Sequence, residues 1–266
     1  MIYICYGITK SASTFLYQLT EEVFSVAGRR PRKLGPPYRR KGSLDNYFDV
    51  IDEALIDELA GFIGDDDIVL KTHGPPRGSV ASRIATGSVL ASASIRDPRE
   101  IALSMLDHGQ RARRWKDVPF AEFQSIDDTL PALENQLGYF EAWAAIPCVS
   151  VFLYNDICFD SRTVVERVAS QIGVDIDPDA VLRAFRDNKT VGQFSKGKAL
   201  RYTEMDPSVQ AMFQERFSRL YRGHEFDTPN AVAVAAAQKG QNLRARGQMA
   251  VNLINIRRRL RSLNWF

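Results

Sequence analysis

Four short apolar runs in the chain are each followed by a residue that could bind an anion or move a proton. Lys10 follows the first run, Lys71 and His73 end the second, Arg96 follows the third, and Tyr154 ends the fourth. Lysine and arginine bind phosphate-like anions, and an imidazole can take a proton near neutral pH. If the runs are parallel strands, their carboxyl ends meet at one edge of a sheet, where ligands bind. The sequence therefore predicts a site for a highly charged anion beside a general base.

The turn after the first run has the composition of an anion-binding loop. It consists of one lysine and small or hydroxylated residues, namely Thr9, Lys10, Ser11, Ala12, Ser13 and Thr14. Phe15, Leu16 and Leu19 then recur at helical spacing, which places the turn at a helix N-terminus with exposed backbone amides. The spacing is not that of a Walker A loop, which needs Gly-Lys-Ser/Thr. Taken alone, this stretch is either a phosphate-binding loop or a polar turn with a surface lysine.

Strands alternate with helices along the chain, and these elements must position the residues named above. We predict strands at 1–8, 68–71, 89–95 and 148–154. We predict helices over 15–24 and over 43–62 with Ser43 as N-cap, from Pro98, over 130–144, over 160–173 between Asp160 and Gly173, and from Pro178 and Pro207. The segments 28–42, 74–88 and 110–129 are predicted loops. This order predicts an α/β fold with a mostly parallel sheet flanked by helices.

Composition limits the class of protein. The 266 residues are 45% hydrophobic and 25% charged with a net charge of +3, which is typical of a soluble globular protein. Cys5, Cys148 and Cys158 form no paired framework, and the first two fall in strand patterns, so we expect buried thiols and a reducing compartment. The sequence shows no signal-type N-terminus and no run of ~18 apolar residues. We expect a cytoplasmic protein with a domain over 1–227 and a tail over 228–266.

Basic residues are concentrated in three segments. Residues 28–42 are either a solvated surface loop or a flap that attracts an anionic ligand, and the cluster at 111–116 is a solvated face or contacts the acceptor. In the tail, apolar residues from Met249 to Leu260 and neighbouring arginines fit a basic amphipathic helix. Such a helix lies on an anionic membrane surface, here the inner face, or packs on its own domain or a partner. We expect no nucleic-acid binding, and the oligomeric state stays open.

Together the four stretches resemble the motifs of cytosolic-type sulfotransferases, in family order and over roughly residues 1–225. KSAST and the following aromatic residue resemble the 5′-phosphosulfate loop, Lys-Ser-Gly-Thr-Thr-Trp. VLKTHGPP resembles the Lys-Thr-His-x-Pro segment, and RDPREIALS resembles the 3′-phosphate segment, an Arg, seven residues and a Ser. LYNDI resembles the Tyr-Glu-Asp-hydrophobic segment. The resemblance implies the P-loop-like sulfotransferase fold.

It also implies a donor, 3′-phosphoadenosine 5′-phosphosulfate, and a product, adenosine 3′,5′-bisphosphate, with no metal. His73 would be the general base, with Lys71 beside it, and Lys10 would stabilise the leaving group. The residues implied to bind the nucleotide are Lys10, Ser11, Ala12, Ser13 and Thr14 at the 5′-phosphate, Phe15 near adenine, Arg96 and Ser104 at the 3′-phosphate, and Tyr154 in the pocket wall. The acceptor would carry a hydroxyl or an amine and would be a glycan, a lipid-linked compound or a small molecule. The basic segments fit an anionic, glycan or lipid-linked acceptor.

The sequence departs from the family pattern at two places. Ala12 replaces a glycine, which is tolerable if its φ is negative. The C-terminal Arg-Lys-Gly segment appears only as Ser195-Lys196-Gly197, so Lys196 and Gly197 are expected 3′-phosphate contacts, with Lys198 and Arg201 as substitutes.

Alternatives to these roles stay open. Arg96 could form a structural ion pair with Asp97 or Glu100, Ser104 could be an ordinary helix residue, and Tyr154 could lie at the core edge. A nucleotide kinase-like P-loop protein is disfavoured because the Walker A context is missing. A non-catalytic nucleotide-binding protein that docks on a membrane or partner through its tail is the alternative from another class.

Overall fold

The computed structural model describes residues 1–36, 38, 44–114, 120–188 and 198–239. Within these ranges, four strands form one parallel sheet in the order β2-β1-β3-β4. The strands are β1 (Ile2–Gly7), β2 (Ile68–Thr72), β3 (Leu90–Ile95) and β4 (Ser150–Leu153). Their pairing aligns the carboxyl ends, since Tyr6 faces Thr72 and Gly7 faces Ser94. The predicted parallel α/β sheet is confirmed.

Helices cover both faces of the sheet. Their bounds are α1 (Ser13–Val26), α2 (Glu53–Ile63), α3 (Val80–Ala85), α4 (Pro98–Ala112), α5 (Ile126–Ala144), α6 (Tyr154–Phe159), α7 (Ser161–Ile172), α8 (Pro178–Asn188), a 3-10 turn (Arg201–Glu204), α9 (Pro207–Arg216) and α10 (Ser218–Gly223). Residues 229–239 are also helical. No helix in these ranges combines the length and the apolar content needed to span a bilayer.

The alternation of β1 divides the core into two layers. Ile2, Ile4 and Tyr6 pack with α2, α4, α5 and the last helices, whereas Tyr3 and Cys5 pack with α1, α7 and α8. Because successive side chains of a strand point to opposite faces, an apolar residue at every position of β1 requires cover on both sides. This central strand carries the candidate loop at its carboxyl end.

The helix predicted from Ser43 is shorter than expected. Ser43 lies outside the described residues, and 44–51 are not helical; α2 begins at Glu53, after Asp52 accepts a hydrogen bond from the Leu55 amide. Asn46, at φ 56°, breaks the helical path, and its side chain bonds backbone groups of 32, 34 and 69. The apolar spacing of 44–51 therefore belongs to a half-buried segment running beside β2.

Other boundaries also differ from the prediction. The loop expected at 74–88 contains α3, and α5 begins earlier than residue 130, at a capping box between Ser125 and Asp128. Strand β4 ends one residue before Tyr154, and Cys148, expected to be buried, precedes that strand and is exposed. The helix stop at Gly173 is confirmed, since this residue adopts φ 77° at the end of α7.

Candidate active site

The loop after β1 is held tightly against β3. The Ser11 hydroxyl is fully buried and donates to the Ile8 carbonyl at 2.6 Å, while lying 2.8 Å from the Ser94 hydroxyl. The Ser11 amide donates to the same carbonyl. Gly7 permits this approach, because a Cβ there would lie 2.2 Å from Ser94 Oγ. Ser11 therefore shapes the loop, and its polar groups are occupied within the protein.

Two residues of this loop adopt the left-handed conformation without being glycine. Lys10 has φ 69° and Ala12 has φ 63°, so the expectation of a negative φ at Ala12 is wrong. For a residue with a Cβ this conformation costs roughly 1–2 kcal/mol. Ala12 is the N-cap of α1 and offers no side-chain cap, so the first amides of the helix, including those of Ser13 and Thr14, are left to other acceptors. Such uncapped amides suit an anion.

Buried Lys71 and half-buried His73 form a pair at the end of β2. Lys71 Nζ lies 2.9 Å from His73 Nε2, and His73 Nδ1 is hydrogen-bonded to the Gly7 carbonyl. Because a carbonyl only accepts, Nδ1 carries the ring proton and Nε2 keeps its lone pair. Burial lowers the pKa of Lys71 to about 7. Burial and the nearby Lys71 lower the pKa of His73 to about 3, so the imidazole is neutral at pH 7.

Lys10 reaches the same region from the other side of β1. Its ammonium lies 3.0 Å from His108 Nδ1 and 4.6 Å from the centre of the Phe120 ring. Burial, together with Arg111, lowers the pKa of Lys10 to about 8. Lys10 is also close enough to His73 to lower the pKa of that imidazole. The structure thus brings Lys10, Lys71 and His73 into one cluster.

Aromatic rings flank this cluster. The Tyr47 ring centre lies 5.0 Å from Lys71 Nζ and 5.6 Å from the centre of the His73 ring. Phe120 covers Lys10 on the opposite side. Apolar ring faces exclude water and strengthen nearby electrostatic interactions.

A second cluster lies beyond β3 and β4. The buried Arg96 guanidinium donates to Glu100 at 2.6 Å and stacks 3.8 Å above the Tyr154 ring centre. The ion pair considered from the sequence is therefore present. Arg96 Nε is buried and has no hydrogen-bond partner within the described residues. Since a buried N–H is normally paired, this orphan donor fits an anionic ligand.

The 3-10 turn reaches this cluster from late in the chain. The Tyr202 amide donates to Glu100 at 2.9 Å, and the Tyr202 hydroxyl donates to Asp227 at 2.6 Å. Burial raises the pKa of Glu100. Arg201, considered as a substitute nucleotide contact, is paired with Asp107 at 2.8 Å.

The remaining predicted residues are placed as follows. Ser104 is half-buried on α4, two turns after Arg96, and Phe15 stacks on Phe185 of α8 with ring centres 4.9 Å apart. Lys198 is exposed and lines a narrow pocket with Arg96 and Tyr154. Lys196 and Gly197 lie outside the described residues. The roles of all these residues in binding stay predictions.

Three cations in the described part of the first basic segment are bound to acids. Arg29 pairs with Asp67, Arg32 with Asp66, and Lys33 with Glu21. These three cations hold 28–33 against α1 and the start of β2, which favours the surface-loop interpretation for them. In the tail, Gln238 accepts a hydrogen bond from the Ala199 amide, so 229–239 contact the domain.

Sequence reasoning missed three residues of the first cluster. His108 lies four residues after Ser104, which is one turn further along the same helix face, and this spacing could have identified it. Tyr47 falls within the helix predicted over 43–62, but α2 does not extend to it. Phe120 lies in a segment with no periodic pattern, and nothing in the sequence places it over Lys10.

The chain matches no protein-family model and no curated protein sequence. Its fold matches solved structures. Retinol dehydratase in complex with androsterone and the inactive cofactor PAP aligns with a TM-score of 0.55 and 16% identity, over 86% of this chain and 82% of that one. Mouse sulfotransferase SULT7A1 complexed with PAP aligns with a TM-score of 0.53 and 13% identity, over 88% and 87%. The chain therefore has the sulfotransferase fold.

Proposed function

We propose that this protein transfers a sulfuryl group from 3′-phosphoadenosine 5′-phosphosulfate to the hydroxyl of an acceptor. The observation that carries the proposal is the Lys71–His73 pair beside the loop of Lys10, at the carboxyl edge of a parallel sheet. A neutral imidazole whose Nε2 lone pair faces Lys71 can take a proton once that ammonium turns to a bound anion, and two lysines beside it supply positive charge. The shared fold supports the same donor.

The residues present fit this donor. Lys10 and the amides of Ser13 and Thr14 would hold the 5′-phosphate, because these amides begin a helix that no side chain caps. Arg96 would hold the 3′-phosphate through its orphan Nε, together with Ser104. The donor supplies a sulfuryl group on a phosphate leaving group. Glu100 limits the charge that Arg96 offers, so Arg96 acts mainly as a directional hydrogen-bond donor.

The hydrogen bonds of His73 define how it acts. Its Nδ1–H group donates to the Gly7 carbonyl, which fixes the ring and directs the lone pair of Nε2 away from that strand. The same lone pair accepts from Lys71. An anionic ligand competes for the Lys71 ammonium, and its arrival releases Nε2 for the acceptor. This arrangement favours binding of the donor before the acceptor.

Three side chains then handle the proton of the acceptor and the charge that develops during transfer. His73 Nε2 takes the proton of the acceptor hydroxyl as that oxygen bonds to sulfur. Lys71 stabilises the sulfuryl oxygens, and Lys10 stabilises the charge left on the phosphate when its bond to sulfur breaks. The aromatic rings of Tyr47 and Phe120 keep water from the cluster. Each of these roles uses a side chain that the fold holds within contact distance of its neighbour.

The variant His73→Asn tests the base. Asparagine can still donate to the Gly7 carbonyl but cannot take a proton at the position of Nε2. We expect unchanged affinity for adenosine 3′,5′-bisphosphate by calorimetry and a loss of ~10²–10⁴ in transfer of labelled sulfate. His73→Ala should behave alike. A variant that turned over as fast as the parent would show that His73 is not the base.

The acceptor is tested separately, by screening hydroxyl compounds with radiolabelled donor. We include anionic, glycan and lipid-linked acceptors. A parent protein that binds the nucleotide but labels no acceptor would favour the non-catalytic alternative. Vesicles of anionic lipid added to the assay test whether the basic tail brings the protein to a membrane surface.

A further inference from the structure

A second histidine holds the lysine of the loop. Lys10 donates to His108 Nδ1 at 3.0 Å, and the Phe120 ring lies over the ammonium at 4.6 Å. The His108 ring meets Phe120 edge to face, with ring centres 5.2 Å apart. Each of the three groups thus contacts the other two. The contact joins the loop after β1 to the third turn of α4.

The position of Phe120 is fixed independently of Lys10. A turn over 120–123 crosses α4 at Gly109, where a Cβ would lie 2.2 Å from the Phe120 carbonyl oxygen. Arg113 donates to the Phe123 carbonyl at 2.7 Å and to the Ala121 carbonyl at 3.3 Å. Because the backbone of this turn is held against α4 by these contacts, the Phe120 ring is held beside Lys10 and His108.

Both partners of Lys10 are uncharged at neutral pH. By contrast, Lys33 and Arg96 are each paired with a glutamate. Within the described ranges, no carboxylate is paired with Lys10. An imidazole acceptor and a ring face orient an ammonium without cancelling its charge, whereas a carboxylate would compete with any bound anion. The full charge of Lys10 stays available to an anionic ligand.

We propose that His108 is a positioning residue, which directs the Lys10 ammonium at the 5′-phosphate through its Nδ1 lone pair. The inference rests on the proposed sulfuryl transfer and adds a residue to it. Acting through Lys10, His108 needs no contact with the donor or the acceptor. The competing role for a histidine at this place is a direct contact with the acceptor, and the two roles give different results in a double-mutant cycle.

The experiment compares His108→Leu, His108→Asn, Lys10→Met and the double variant Lys10→Met/His108→Leu. Leucine resembles histidine in size but accepts no hydrogen bond, and the asparagine oxygen restores an acceptor near the position of Nδ1. For each protein we measure thermal unfolding, affinity for adenosine 3′,5′-bisphosphate by calorimetry, and kcat at saturating donor.

We expect His108→Leu to weaken nucleotide affinity or kcat roughly 10- to 100-fold, which is the effect of a hydrogen bond to a charged group. His108→Asn should recover most of that loss. The double variant should be no worse than Lys10→Met alone, because His108 acts only through Lys10. The inference would be overturned if the losses of the two single variants multiplied in the double variant. It would also be overturned if His108→Leu matched the parent in nucleotide affinity and kcat. A parent protein that binds no nucleotide would instead contradict the proposed function.

Discussion

Replacing Lys71 by methionine should stabilise the protein while removing the proposed sulfuryl transfer. Lys71 is 2% exposed, and its pKa falls from 10.5 to about 7 because burial disfavours the charged form. A displacement of this size corresponds to about 5 kcal/mol, an upper value because a real site relaxes around the charge. Methionine has a similar length and carries no charge, so it removes this cost.

The gain in stability of Lys71→Met over the parent should fall as the pH rises from 7 to 10.5. Between pH 7 and 10.5 the unfolded chain keeps the Lys71 proton and the folded chain does not, so the unfolded state binds more protons. The stability of the parent protein therefore rises with pH across this window, by up to ~1.4 kcal/mol for each pH unit. Lys71→Met lacks this term, so its advantage is largest near pH 7 and vanishes near pH 10.5. Burial raises the pKa of Cys5 to about 12, so this neighbouring thiol stays neutral over most of the window.

Urea unfolding of both proteins, followed by tryptophan fluorescence at pH 7, 8, 9 and 10, measures the difference. Subtracting one protein from the other removes the titrations that they share. Measurements start at pH 7 because removing Lys71 lets the pKa of His73 rise towards its ordinary value. Lys239→Met supplies the matched control, because it makes the same replacement at an exposed residue outside the cluster. A Lys71→Met difference that stayed constant from pH 7 to 10 would refute the assignment of a buried, easily deprotonated lysine.

Three further outcomes are expected. Lys10→Ala should weaken both nucleotide affinity and turnover, whereas Lys239→Ala should change neither; unchanged donor affinity and rate would remove Lys10 from the site. Ala12→Gly should raise the midpoint of urea unfolding, because glycine adopts a positive φ without strain. The gain should be about 1 kcal/mol or less, because glycine also makes the unfolded chain more flexible. A loss of stability would show that Ala12 is not strained. Arg96→Lys should reduce the affinity for adenosine 3′,5′-bisphosphate by about tenfold or more. The affinity for adenosine 5′-monophosphate should stay unchanged, because that nucleotide has no 3′-phosphate. Equal losses for both nucleotides by calorimetry would show that Arg96 does not bind the 3′-phosphate.

The sequence predicted the sheet and the cluster around Lys71 and His73 because those features depend on local pattern. Continuous apolar runs identify buried strands, and a parallel sheet brings their ends together. Residues 44–51 misled the prediction because a half-buried extended segment can repeat the apolar spacing of a helix. What reveals the difference is Asn46, whose side chain bonds backbone groups at distant positions.

Side-chain partners across the fold were harder to foresee. The Lys10–His108 contact joins residues 98 positions apart, and the direction of both side chains depends on the turn at 120–123. The positive φ of Ala12 likewise depends on how Ser11 is anchored to β3. In both cases the local sequence offers several conformations, and tertiary contacts select one of them.

The Glu100 carboxylate joins early and late parts of the chain in the second cluster. One of its oxygens pairs with Arg96, and the other accepts a hydrogen bond from the amide of Tyr202, more than a hundred positions downstream. In a ribosome-bound chain whose residue 202 has not yet emerged, Glu100 can pair with Arg96 but lacks the hydrogen bond from the Tyr202 amide. The pocket proposed to hold the nucleotide should therefore form among the last parts of the domain, and nascent chains arrested before residue 202 should not be retained on an immobilised adenosine bisphosphate resin.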